Sequence, residues 1–134
     1  MSDAQRRALL FIVPAVVTFT VLRAYLWFAP DTDLNVGAYN IHHLYSGLVV
    51  ATIGGVPLGV LHPDANRRLV DLSRVVFSVG LAMALDEWLY LIATDGTNAS
   101  YSLPVSFWGG LAAVALACAY AVVLATIDHR RRTN

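Results

Sequence analysis

The stretch Val75-Val76-Phe77-Ser78-Val79-Gly80-Leu81-Ala82-Met83-Ala84-Leu85-Asp86-Glu87-Trp88-Leu89-Tyr90-Leu91-Ile92-Ala93-Thr94 decides how this chain is to be read. Its only charges are one adjacent pair of carboxylates. A helix of about 20 residues crosses the roughly 30 Å hydrocarbon core of a bilayer, so this stretch has the length of a membrane span. Three others resemble it, at Ala8–Ala29, Leu44–Leu61 and Val105–Ile127. The last two carry no charge, and the first carries only Arg23. Short polar connections separate the four. The pattern predicts an all-α, polytopic membrane protein: a four-transmembrane-helix bundle forming a single transmembrane domain over residues 1–134. The first stretch has no small-x-small cleavage site before Pro30, so it reads as a span and not as a cleaved signal.

Composition agrees. Of the 134 residues 57% are hydrophobic and 13% charged, against about 25% charged in soluble domains; the mean hydropathy is +0.61. All nine basic residues are Arg, and eight of the nine acids are Asp. The balance of zero net charge excludes a basic nucleic-acid binder, and the apolar content excludes disorder and an ordinary soluble enzyme. No Gly-rich phosphate loop, HExxH, CxxC or Gly-x-Ser-x-Gly occurs. The bilayer is the first partner to consider.

The positions of the charges predict an orientation. Arg6 and Arg7 precede the first stretch, Arg67, Arg68 and Arg74 flank the second connection, and Arg130, Arg131 and Arg132 close the chain. With four spans these groups share one side. The connections on the other side hold Asp31, Asp33 and Asp95 but no Arg. The positive-inside rule then puts both termini in the cytoplasm of a cell (plasma) membrane. Asn98-Ala99-Ser100, in the second external connection, has the form of a glycosylation sequon.

Small residues recur at every fourth position on two helices: Gly47, Ala51, Gly55 and Gly59, and Gly109, Ala113, Ala117, Ala121 and Ala125. Such stripes let helices approach closely, within a bundle or between copies. Pro14 and Pro57 are expected to kink their spans. Cys118 is expected to pack as a small apolar residue. Tyr25, Trp27, Tyr39, Tyr45, Trp88, Tyr90, Tyr101 and Trp108 cluster toward the external ends and read as an interfacial aromatic belt, a subset of which could wall a pocket.

Arg23, His42, His43, Asp86 and Glu87 are the candidate site. Ionisable groups within a span cost several kcal/mol unless paired or hydrated. Counted from a turn near Asp64-Ala65 at 1.5 Å per residue, the His pair and the acid pair reach similar heights in the outer half, and Arg23 joins them. His43 lies four residues before Gly47 and is expected to face inward. His43 and Glu87 form the expected core, flanked by His42 and Asp86, with Arg23 as counter-charge; which acid faces the bundle is open. Three chemistries fit: a divalent transition metal site for Zn or Fe, ligated by His42, His43, Asp86 and Glu87; a structural ion-pair network; or a proton relay. The corresponding functions are a metal-binding membrane protein, a small proton- or ion-coupled transporter acting as an oligomer, and a structural subunit of a larger membrane complex. His62 and His129 read as interfacial.

Ile41-His42-His43-Leu44-Tyr45-Ser46-Gly47 together with Leu85-Asp86-Glu87-Trp88 resembles a group of small prokaryotic four-helix integral membrane proteins carrying an HHxxxG segment and a later Asp-Glu-aromatic. The absence of Lys resembles haloarchaeal or other high-GC usage. The resemblance covers about Tyr39–Gly96 and implies a role for the two pairs, without naming a reaction.

Overall fold

A computed structural model describes residues 1–29, 35–36, 39–40, 42–62 and 65–133 of the chain. Asp31, Asp33 and Asp64 lie outside the described residues, as do the side chains of Tyr39, Asn98 and Arg132. The elements are α1 (Asp3–Phe28), β1 (Asn35–Val36), β2 (Tyr39–Asn40), α2 (His43–Val60), α3 (Arg67–Ala93), α4 (Asn98–Tyr101) and α5 (Pro104–Thr133). The two short strands pair antiparallel, Asn35 opposite Asn40 and Val36 opposite Tyr39. α1, α2, α3 and α5 are each long and apolar enough to cross a membrane.

Three helices extend beyond the apolar stretches because their polar ends carry good caps. Ser2 and Gln5 form a reciprocal capping box that starts α1 at Asp3. The Asn66 side chain accepts the Arg68 N–H at 3.0 Å, so α3 starts at Arg67, two turns before the apolar run. α5 opens on Pro104, where a missing N–H costs nothing. α1 and α2 run through Pro14 and Pro57 without interruption.

α3 is the central helix. It packs against α1, α2 and α5, while α2 packs mainly against α3. In the most apolar window of α3, 39% of residues are buried, against 11% in each of the other three long apolar helices. The remaining faces present Leu9, Val13, Val17 and Val21, or Leu48, Val49, Ile53 and Val56, to the surroundings. Apolar exposure on that scale suits lipid and not water.

The α2–α3 contact is made by backbone on backbone. A Cβ on Gly80 would sit 2.1 Å from the Ala51 nitrogen, and one on Gly54 2.2 Å from the Phe77 nitrogen. Gly47 is equally confined, with the Gly80 carbonyl oxygen 2.7 Å away. The seam therefore runs through Gly47, Ala51 and Gly54. Gly59, expected to continue it, faces open space, and Gly55 meets only the Phe77 ring. A helical stripe turns by 3.6 residues, so a strict four-residue repeat drifts off the contact line. On α5 the expected stripe does face inward, from buried Gly109 through partly buried Ala113, Ala117, Ala121 and Ala125. Cys118 packs at the edge of the small core formed by Ala15, Phe19, Ala82 and Val114.

The starts of α1 and α3 and the end of α5 meet at one end of the bundle. Arg67 reaches Asp3 at 2.8 Å, Arg6 pairs with Asp71, and Arg7 reaches Asp128 at 2.5 Å. The opposite end holds the site.

Candidate functional site

Asp86 lies at the centre of the opposite end, fully buried on α3. Its Oδ1 accepts the Arg23 Nε–H of α1 at 2.7 Å, with Arg23 Nη2 also 2.7 Å away. Its Oδ2 accepts the hydroxyl of Tyr101 and lies 3.1 Å from His43 Nε2. Arg23 further donates to the Ser106 hydroxyl at 3.1 Å, the Ser106 carbonyl at 3.0 Å and the Asp86 carbonyl at 3.2 Å. Its guanidinium carbon lies 4.3 Å from the centroid of the Tyr101 ring, a cation–π contact.

Glu87 faces α2. Adjacent helical residues point about 100° apart; at this position both directions are interior, because α3 has neighbours on three sides. Glu87 Oε1 lies 3.1 Å from His43 Nδ1 and 3.5 Å from His42 Nδ1. Glu87 Oε2 accepts the Leu44 N–H at 2.7 Å. His42, the N-cap residue of α2, makes no capping bond of its own. Glu87 thus caps α2 from the neighbouring helix, where a carboxylate also meets the positive end of the helix dipole.

The Asp95–Tyr101 connection forms the roof. Gly96 takes φ +72°, a left-handed conformation that suits glycine. Asp95 Oδ1 accepts the Thr97 N–H at 3.2 Å, the Thr97 hydroxyl at 2.9 Å and the Ser100 hydroxyl at 2.5 Å. The Ser100 hydroxyl, then the Thr97 groups, hold the Asp95 carboxyl below its usual range. Tyr90 donates to the Thr97 carbonyl at 3.0 Å and packs edge-on against Tyr101. Burial, and then the Asp86 carboxylate, push the Tyr101 phenol far above its usual range, so it stays a donor. Tyr101→Phe keeps the ring over Arg23 and removes one bond to a buried carboxylate. It is expected to cost about 1.5–3 kcal/mol, read as a lower midpoint of thermal unfolding in detergent.

All five expected residues, Arg23, His42, His43, Asp86 and Glu87, are brought together. Asp86, expected at the flank, makes the larger set of bonds. Tyr101, expected among the belt aromatics that could wall a pocket, completes the site together with Ser106 and Gly110, which were not expected there. Ser106 lies three residues before Gly109, so it extends the small-residue stripe of α5, and that spacing was a usable signal. Gly110 has no room for a side chain: a Cβ would lie 2.8 Å from Asp86 Oδ1 and 3.1 Å from Arg23 Nη2. Tyr90 and Tyr101 wall the site, whereas Tyr25, Trp27, Tyr45, Trp88 and Trp108 are exposed as a belt would be.

Among the described residues no group of three or more His, Cys, Asp or Glu is arranged to hold a metal ion. The residues of the expected Zn or Fe set are adjacent, with Asp86 already accepting from Arg23 and Tyr101 and Glu87 Oε2 from the Leu44 N–H. Among the described residues no buried side-chain polar atom lacks a partner. The chain matches no protein-family model, no curated protein and no solved structure.

Proposed function

We propose that this chain is a polytopic plasma-membrane protein with both termini cytoplasmic, whose His43–Asp86–Glu87 centre takes up and releases a proton near the external face. The reading makes it a small proton- or ion-coupled transporter acting as an oligomer, since four helices rarely enclose a pathway alone. One observation carries it: the His43 ring sits between two carboxylates, 3.1 Å from each. An imidazole donates from both nitrogens only as imidazolium. In that state His43 and Arg23 balance Asp86 and Glu87. Loss of the proton leaves one uncompensated negative charge in the membrane and turns a lone pair toward a carboxylate. Because α2 rests mainly on α3, the proton governs how firmly the start of α2 is held. His42 and His43 keep 19% and 18% of their side-chain surface exposed, which gives the proton a route. The eight arginines of the terminal end support the orientation.

Nitrogen-15 spectra of the histidine rings in the full-length protein test this. Both His43 nitrogens should carry protons, and proteoliposome proton flux should disappear in His43→Ala and Glu87→Gln. A singly protonated ring together with no flux under any gradient overturns the reading in favour of a structural ion-pair network. The convergence of His42 Nδ1 and His43 Nδ1 on one Glu87 oxygen favours the metal reading as second. Stoichiometric zinc or iron that disappears in the same two variants would put that reading first, with the metal displacing the His43 proton to water.

A further inference from the structure

The opposite, terminal end of the bundle holds a cavity of about 260 Å³ between the starts of α1 and α3. Arg6, Arg7, Arg67 and Arg74 line it, with Asp3 and Asp71 as the acids among the described residues. Asp71 serves two of these arginines, receiving Arg6 through both oxygens and Arg74 at 3.0 Å. Asp3 receives Arg67. Arg7 finds its carboxylate on α5, outside the cavity lining. Among the described residues, four guanidinium groups face Asp3, Asp71 and, through Arg7, Asp128, which leaves one excess positive charge. Among the described residues Arg7, Arg67 and Arg74 each reach a carboxylate through one nitrogen, and a guanidinium has five N–H groups. A liquid water occupies about 30 Å³, so the space admits a group of several heavy atoms.

We propose that this cavity binds a phosphate group. Planar, forked guanidinium donors match phosphate oxygens, and a singly charged phosphate diester offsets the remaining positive charge. The site depends on the helices spanning a membrane, which brings this end to the headgroup layer, and is independent of the proton centre. Either a phospholipid headgroup or a free phosphate ion supplies the chemistry. The lipid source is favoured by an apolar groove of about 550 Å³ on the other flank of α1, lined by Ala8, Leu9, Ile12, Val122 and Ala125.

The test is native mass spectrometry of the full-length protein in detergent, titrated with phosphatidylglycerol, phosphatidylcholine or inorganic phosphate. Phosphatidylglycerol should bind and phosphatidylcholine should not. Arg67→Gln and Arg74→Gln should each weaken binding about fivefold, while Arg130→Gln/Arg131→Gln should leave it within twofold. The Arg67 side chain is 66% exposed, so its substitution spares the fold, and Arg74→Lys serves as the charge-retaining control. Binding of inorganic phosphate alone, with the same dependence on Arg67 and Arg74, supports the site and assigns it a soluble ligand. Binding of neither anion, equal binding of phosphatidylcholine, or an equal loss in the tail variant overturns the proposal.

Discussion

Asp86→Ala should lower the unfolding free energy by about 3–5 kcal/mol, because it strands a buried Arg23. Asp86 is fully buried and receives Arg23, His43 and Tyr101 from three other elements. Removing the carboxylate leaves the guanidinium with hydroxyl and carbonyl partners but no counter-charge. The double variant Arg23→Met/Asp86→Leu should recover most of the loss, since apolar residues of similar volume often replace a buried ion pair without penalty. Thermal or denaturant unfolding in detergent measures both. A single-variant cost below about 1 kcal/mol, the value of an exposed pair, would mean that water already reaches Arg23.

Gly80→Ala should separate α2 from α3. The added methyl would lie 2.1 Å from the Ala51 nitrogen and 2.6 Å from the Gly47 carbonyl oxygen. Those atoms belong to the backbone, so no side chain can rotate away, and the cost should reach the upper part of the 1–3 kcal/mol range typical of overpacking, or about 3 kcal/mol. The consequence reaches the site. α2 must move as a body, and its first residue, His43, is the group held 3.1 Å from Asp86. Disulfide crosslinking between cysteines placed on facing positions of α2 and α3 would report the displacement. Gly59→Ala, at a helical position with open space around it, should leave crosslinking unchanged and should not lower stability.

Much of this fold was legible because bilayer chemistry writes itself into composition. Four runs long enough to span, and a segregation of arginines, need no tertiary information to be seen. The candidate site was legible for a related reason. A charge within an apolar run is costly, so Arg23, Asp86 and Glu87 stand out wherever they fold. What periodicity alone misplaced was the contact line on α2, where Gly54 serves and Gly59 does not. Tyr101 stood out only as one of eight interfacial aromatics, because it sits in a connection whose path depends on Gly96 and on the hydroxyls gathered by Asp95.

The sequence by itself determined the number of helices long and apolar enough to cross a membrane, the grouping of the termini with the α2–α3 connection, and the charged residues to be reckoned with. Those follow from hydropathy, length and the cost of charge in lipid, all of which are local. Only the tertiary structure decided that α3 is central, that both acids of an adjacent pair can be interior, and that His43 faces two carboxylates. Those depend on which helices surround α3, and side-chain direction acquires meaning only once the neighbours are in place.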